Sequence, residues 1–461
     1  MEKNLAVVVC NYNKKEYVIK NIKSLRCQDI DCFDIYVVDN ASTDGSVSAI
    51  RDAYGDEVNL ICNEENLGGT GGFNTGIRGV MQKGYSYIVL LDNDVVLKED
   101  ALRTLYKDME DNPDIGIMGA KILKMDYPDI IQEFAPTVNY STMTFELNHG
   151  GEKDNGSLPH LADCDYVPAC ALIVRQEVIE KIGVMPEDNY IYYDDIEWGI
   201  RCHRAGYRVV ANSHASVWHK GGAMINPSTF GTYYLNRNKL KLFMTYSQTE
   251  PTKAEKSCLI DERIDHILRD IYEGLYSCEY RGMNNVAKTR MDAFLDAING
   301  ISGVADAYKI RQREIINEKF DRTVKSSGSV RIYMNGLWEN SRRILNHIQL
   351  LEKESGHPIA VELTDDELYK NDSCLGVSIR GEKDASDSDF DLVFYVCDHI
   401  YKLDIDSFDR KWVDGWRNTI FDTEDYNSYK NYEPSYRVFK LCFEDRVREA
   451  MNRQKGDCVH E

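Results

Sequence analysis

Asp92 and Asp94 flank Asn93 directly after the apolar run YIVLL. Two carboxylates two positions apart at a strand end can both bend toward one hard cation, with the residue between them turned away. A second acidic cluster, Asp194, Asp195 and Glu197, follows NYIYY and precedes WGIRCHRAGYRV. Near a helix N-terminus the dipole stabilises a carboxylate, so Asp195 reads either as a general base or as an N-cap with acidic first-turn neighbours. The aromatic residues around it, Tyr190, Tyr192, Tyr193 and Trp198, fit a packed core or a sugar-stacking platform, and periodicity does not separate the two. His219, in VWHKGG, would give Asp92 and Asp94 a nitrogen partner and favour manganese over calcium. On composition, His203 and His214 have similar claims. The fourth cluster is NLGGTGGFNTGIRG, residues 66–79, with five glycines between Gly68 and Gly76 opening a helix. Glycines let backbone amides approach a diphosphate, and a helix N-terminus favours its charge. The loop is neither a Walker A, since no GK[ST] follows, nor a dinucleotide fingerprint.

The elements that must hold these clusters follow from the apolar runs. LAVVVC, FDIYVVDN, NLICNEEN and YSYIVLLDNDVVL are strand-like and are separated by helical stretches, which predicts a parallel α/β sheet. In such sheets ligands bind beyond the carboxyl ends of strands. Each apolar run is followed there by a polar cluster: Asn11-Tyr12-Asn13, Asp39-Asn40, the glycine-rich loop from Asn66, and Asp92-Asn93-Asp94. Further on, YRVVANSHASVWHKGG reads as strand, turn and strand, and a helix is predicted from about Asp195 to Ala205. A catalytic domain over 1–245 is expected, then a helical segment over 246–328 with apolar positions at helical spacing. After KSSGS a smaller α/β accessory domain over 329–461 is expected.

Composition narrows the partners. The chain has 461 residues, and 55 Lys and Arg against 76 Asp and Glu give a formal charge of −21, a surface that repels a phosphodiester backbone. Nucleic acid is therefore not an expected partner. The 13 cysteines form no CxxC pair and read as reduced thiols of a cytoplasm. No stretch approaches the roughly 18 apolar residues of a spanning helix.

In this order the four clusters resemble an inverting GT-A glycosyltransferase of family two. VVVCNYNKKEYVIKNIKSL with VVDNASTDGS is similar to that family's nucleotide-binding half, and LLDNDVVL to its DxD. NLGGTGGFNTG, YYDDIEWGIRCHRAGYRV, VWHKGG and TYYLNRNKLKL resemble more narrowly the galactofuranosyltransferases and rhamnosyltransferases of bacterial cell-surface polysaccharides. The resemblance covers roughly residues 4–245, and Asn93 departs from the acidic middle residue of some galactofuranosyltransferases.

The resemblance implies a GT-A domain in which Asp92, Asp94 and His219 hold a divalent metal, Mn(II) or Mg(II), on a UDP- or dTDP-sugar. Asp195 would be the catalytic base, with Asp194 and Glu197 orienting hydroxyls. Asn11, Tyr12, Asp39, Asn66, Gly68, Gly69, Gly71, Gly72, Asp92 and Trp198 would contact the nucleotide sugar. The acceptor would be a glycan or a lipid-linked glycan, and the location cytoplasmic, peripheral on the inner face of the cell membrane. Two rivals are a nucleotidyltransferase, which would release pyrophosphate from a nucleoside triphosphate, and a non-catalytic GT-A scaffold.

Overall fold

β1 (Leu5–Asn11) is buried on both faces, as a strand inside a parallel sheet must be. In the computed structural model it is followed by α1 (Lys15–Arg26), β2 (Phe33–Asp39), α2 (Ser46–Tyr54), β3 (Val58–Cys62), α3 (Gly68–Val80) and β4 (Tyr87–Asp92). Next come β5 (Val95–Leu97), α4 (Ala101–Asp111), β6 (Ile115–Lys124), β7 (Tyr127–Glu133), β8 (Thr137–Asn139), β9 (Thr144–Glu146), β10 (Leu161–Asp163) and β11 (Ala171–Arg175). α5 (Gln176–Ile182), α6 (Asp194–Arg204), β12 (Arg208–His219) and α7 (Phe230–Tyr246) complete the part that carries the chemistry. The structure describes every residue except 1–3, 141–143, 222–227, 247–254, 281–282, 315–317, 336, 365–377, 381–385, 398–410, 415–418, 422–431 and 458–461. Parts of the expected segments 246–328 and 329–461 therefore lie outside the described residues.

Ten strands form one sheet, ordered β10-β12-β6-β11-β4-β1-β2-β3, with β5 on β12 and β7 on β6. β1 to β4 are mutually parallel, and β11 runs antiparallel between β4 and β6. Alternation along β1 sends Leu5, Val7 and Val9 into a core with Val18 and Ile22 of α1. Ala6 and Val8 pack on the other face with Phe73 and Ile77 of α3, so helices cover both faces. Register then does the positioning: Asn11 pairs with Asp39, and Cys10 with Asp92, which lays three polar strand ends side by side.

Two local readings change. Residues 87–97 are not one strand, because the Asn93-Asp94 turn separates β4 from β5 and puts Asp94 at the turn. Residues 208–219 are one strand, not two. Its register against β6 shifts between Asn212 and Ser216, where the Asn212 side chain accepts from the amides of His214 and Ala215 and absorbs the irregularity.

The later elements are α8 (Glu255–Tyr280), α9 (Asn284–Asn299), α10 (Glu318–Lys325), β13 (Ser329–Tyr333), α11 (Trp338–Ser355), β14 (Ala360–Thr364), β15 (Ser378–Arg380), β16 (Leu392–Cys397), β17 (Trp412–Asp414), β18 (Thr419–Phe421) and α12 (Tyr432–Asp457). By compactness the chain forms two units: 1–271 with 288–312 and 443–461, and 272–287 with 313–442. The second unit has its own sheet, ordered β15-β14-β13-β16-β17-β18, parallel except for β18, over a core of Val330, Ile332, Ile344, Leu363 and Phe394. No described helix is long and apolar enough to cross a membrane, and ten described cysteines are free thiols.

Candidate active site

The pairing of β5 with β12 sets His219 opposite Val95, one residue from Asp94. The Lys220 amide donates to the Asp94 carbonyl at 3.1 Å, and Asn21 of α1 ties the Asp92 and Val95 carbonyls at 3.2 and 2.9 Å. One ligand atom from each of Asp92, Asp94 and His219 then falls within 4.8 Å of the others. His219 Nε2 lies 3.4 Å from Asp94 Oδ1 and 3.7 Å from Asp92 Oδ2. Burial pushes the Asp92 carboxyl up to about 6, and the charge of Asp94 adds to that against the pull of His219. Burial acts the same way on Asp94, but His219 and Lys14, whose Nζ is 2.6 Å away, outweigh it and hold it at about 2. On His219, burial opposes protonation while the Asp94 hydrogen bond and both carboxylates favour it, with a net rise. Two carboxylates and one imidazole, crowded together with Asp94 and His219 largely buried and Asp92 reaching solvent, are a donor set that fits a divalent cation.

Asn93, between the acidic pair, donates to Asn11 Oδ1 at 2.9 Å, and Asn11 donates in turn to Asp39 Oδ2 at 2.8 Å. Asp39 Oδ1 accepts the Ser42 amide at 2.8 Å. An aspartate at 93 could not donate to Asn11 while Asn11 serves Asp39, which is a physical reason for the amide here. Tyr12 stands exposed beside this chain. Asn66 Oδ1 receives Asn40 Nδ2 and the Gly68 amide, both at 2.9 Å.

Two glycines of the loop serve close packing. A Cβ on Gly68 (φ +76°) would lie 2.1 Å from the Tyr190 carbonyl oxygen, and one on Gly72 2.3 Å from Cys10 Sγ. A Cβ on Gly71 would meet Leu67, while Gly69 has only an ordinary contact with Ile191.

The acidic cluster begins α6, with Asp194, Asp195 and Glu197 in its first turn. Asp194 is buried and accepts the Thr70 hydroxyl at 2.7 Å. Asp195 is more open. Its Oδ2 accepts the Ala169 amide at 3.1 Å, and its Oδ1 the Ile196 amide at 2.8 Å. Burial and the neighbouring Asp194 push its carboxyl up to about 8, against those two amides. Residue 170, next to Ala169, accepts the Asp92 amide through its carbonyl at 3.1 Å, so one short segment before β11 holds both the base candidate and the metal corner. Glu197 takes Arg201 at 2.6 Å and the Tyr246 hydroxyl at 3.0 Å. Trp198 is not brought to the cluster: it is fully buried, with its indole N–H on the Gly183 carbonyl. The other two histidines are also elsewhere, His203 on the Cys164 carbonyl and His214 stacked on His160 at 4.0 Å.

Sequence reasoning missed Gln132 and Glu133 at the end of β7. The Gln132 amide nitrogen meets His219 Nδ1 at 2.9 Å and leaves Nε2 facing the carboxylates. Burial pushes Glu133 up to about 7 against its hydrogen bond with Tyr166, and its charge adds to the field on Asp195. No motif spacing marks either residue, since each reaches the site through strand register. Partners behind a metal-bound histidine fix its orientation. Gln132→Leu is therefore expected to weaken Mn(II) affinity about 10–100-fold with the fold unchanged, read by electron paramagnetic resonance titration of free Mn(II).

The glycosyl transferase family 2 model matches residues 6–182, which contain the DND turn and the glycine-rich loop. Those residues are a family 2 glycosyltransferase domain. The chain is 28% identical over 214 residues to the dTDP-rhamnosyl transferase RfbF of Shigella flexneri, covering 45% of this chain and 66% of that one. It is 25% identical over 176 residues to the galactofuranosyltransferase GlfT2 of Mycolicibacterium smegmatis, 34% of this chain and 27% of that one. The chain thus spans just under two thirds of the first relative and about a quarter of the second. Among solved structures, the mannosyltransferase PcManGT of Pyrobaculum calidifontis in complex with GDP-Man and Mn2+ is 17% identical, covering 58% of this chain and 72% of that one, with a TM-score of 0.40.

Proposed function

We propose that this protein is a metal-dependent, inverting glycosyltransferase that moves a sugar, rhamnose or galactofuranose, from a UDP or dTDP donor to a glycan or lipid-linked acceptor. The observation that carries the reading is the convergence of Asp92, Asp94 and His219 at the strand ends of a family 2 domain, with Asp195 joined to the same corner through residues 169–170. A divalent cation bound there would neutralise the charge that develops on the departing diphosphate. Asp92, Asp94 and His219 would hold that cation, with Gln132 orienting the histidine. The Asp195 carboxylate takes the proton of the acceptor hydroxyl as that oxygen bonds to the anomeric carbon and the bond from that carbon to the diphosphate oxygen breaks, which inverts the centre. Asp194, held by Thr70, and Glu197, held by Arg201 and Tyr246, act as positioning groups in this scheme. Asn11, Tyr12, Asp39 and the loop from Asn66 to Gly72 lie on the nucleotide side. In the same reading the enzyme works at the cytoplasmic face of a membrane, and residues 329–461 scaffold or recruit the acceptor.

Incubation with a panel of nucleotide sugars and Mn(II) is expected to release UDP or dTDP from one donor class. Pyrophosphate release from a nucleoside triphosphate would replace this reading with nucleotidyl transfer. Turnover of no donor, alone or with acceptor glycans, would favour a scaffold.

A further inference from the structure

Three aromatic residues just before the acidic cluster have left-handed backbone: Tyr190 (φ 68°), Tyr192 (φ 65°) and Tyr193 (φ 65°). Bulky side chains rarely adopt that region, and a run holding three of them persists only where its surroundings impose it. The surroundings here are two adjacent residues of α7. Asn238 Nδ2 donates to the carbonyls of Asn189, Ile191 and Tyr192 at 2.9, 2.7 and 3.2 Å. Arg237 donates to the carbonyls of Asp188 and Asn189 at 3.3 and 3.1 Å, to Gly303 at 2.7 Å, and through Nε to Asn238 Oδ1 at 2.9 Å. Both side chains are about 1% exposed, and the guanidinium also lies over the rings of Tyr233 and Tyr234 at 5.3 and 5.0 Å. The far side of the segment is tied to α3, whose Thr70 amide donates to the Tyr190 carbonyl at 3.2 Å while its hydroxyl holds Asp194.

We propose that Arg237 and Asn238 are positioning residues for the reaction: they force the Tyr190–Tyr193 backbone into its left-handed course and so seat Asp194 on Thr70 and aim Asp195 at the acceptor. An ordinary turn at 190–193 would rotate the start of α6 and carry both carboxylates away from Ala169 and Thr70. The pair is more than helix packing, because its donors go to the carbonyls of a segment that ends one residue before the catalytic cluster. The inference rests on the reading of Asp195 as the base.

Asn238→Ala is expected to lower kcat about 10²-fold while donor KM and Mn(II) affinity stay within twofold, since misplacement of about 1 Å costs that much and the donor side is untouched. Adding Tyr192→Gly should recover much of the loss, because glycine holds φ 65° without a clamp. If Asn238→Ala does not fold, Arg237→Lys, which keeps the charge but reaches fewer carbonyls, decides by the same kcat-against-KM split. A kcat within twofold of the parent in the folded variant, or a loss that only tracks the folded fraction by circular dichroism and ignores Tyr192→Gly, overturns the clamp. Full turnover in Asp195→Asn would overturn the assignment of the base and with it the aiming role, while Arg237 and Asn238 would keep their hold on the carbonyls of residues 188–192.

Discussion

Asp195→Asn is expected to fold, to bind donor and cation as the parent does, and to turn over about 10²–10⁴-fold more slowly. The amide is isosteric and its oxygen can still accept the Ala169 amide, so the 3.1 Å tie that places residue 195 survives. What disappears is the capacity to take a proton, together with the acceptor for the Ile196 amide at the helix start. Successive residues of a helix point about 100° apart, so only one member of the Asp194-Asp195 pair can face a given hydroxyl. Asp194 is buried on the Thr70 hydroxyl, whereas Asp195 is the more exposed of the two and its oxygens, each taking one backbone amide, keep a lone pair for an incoming hydroxyl. Asp194→Asn should accordingly change stability by about 1 kcal/mol, or acceptor affinity, more than turnover. The pH dependence has a definite sign. Burial and Asp194 raise the Asp195 carboxyl to about 8, so in the metal-free protein it is neutral at low pH and becomes a competent base as pH rises. In the loaded enzyme a cation at the adjoining corner draws this carboxyl down from that value, so the kcat/KM profile should climb on an acid limb set by Asp195, and Asp195→Asn should flatten it. Because the folded value is raised, the stabilising contribution of Asp195 is present at low pH and lost as pH rises through about 8. The variant should gain stability relative to the parent over that window. Turnover within a few-fold of the parent, with Asp194→Asn or Glu197→Gln inactive, would move the base to that neighbour.

What the sequence disclosed and what it hid have a common cause. Buried parallel strands are written as largely apolar runs, so β1, β2 and β4 and the polar residues at their ends could be read locally, and Asp92 and Asp94 gained meaning from that placement. Long-range register is not written locally. His219 competes on equal terms with His203 and His214 until β5 pairs with β12 and sets it beside Asp94. Gln132 and Glu133 lie about 40 residues beyond the DND turn and reach the site only because β7 folds back on β6. The glycine-rich loop shows the opposite difficulty. Glycine signals close approach, but the sequence does not say to what, and at Gly68 and Gly72 the partner is the protein itself, at Tyr190 and Cys10. Trp198 sits one residue past Glu197, yet helical geometry turns it into the core beneath α6.

Asp94→Ala is expected to abolish cation-dependent donor binding and to lower turnover at least about 10²-fold, since metal-based charge stabilisation is worth several kcal/mol and each 1.4 kcal/mol is tenfold. Asp94 is the member of the set that faces both other charges, 3.4 Å from His219 Nε2 and 2.6 Å from Lys14 Nζ. Its removal takes one donor from a three-donor site and leaves Lys14 without that partner. The turn itself should stand, because Asp94 holds Lys220 through its backbone carbonyl and Asn93 holds Asn11 through its own amide. Stability separates a lost ligand from a lost fold. The Asp94 carboxyl is held at about 2, below its unfolded value near 3.9, so its contribution is present at neutral pH and is lost as pH falls through about 2. The difference in melting temperature between parent and Asp94→Ala, both without metal, should therefore shrink steadily below pH 4. The chelator makes an independent arm: EDTA should silence the parent, and added Mn(II) should restore it without restoring the variant. Full activity of the parent in EDTA, or Mn(II) affinity unchanged in Asp94→Ala, would show that Asp92, Asp94 and His219 are an internal ion cluster, and would leave the departing diphosphate to be met by cationic side chains such as Lys14.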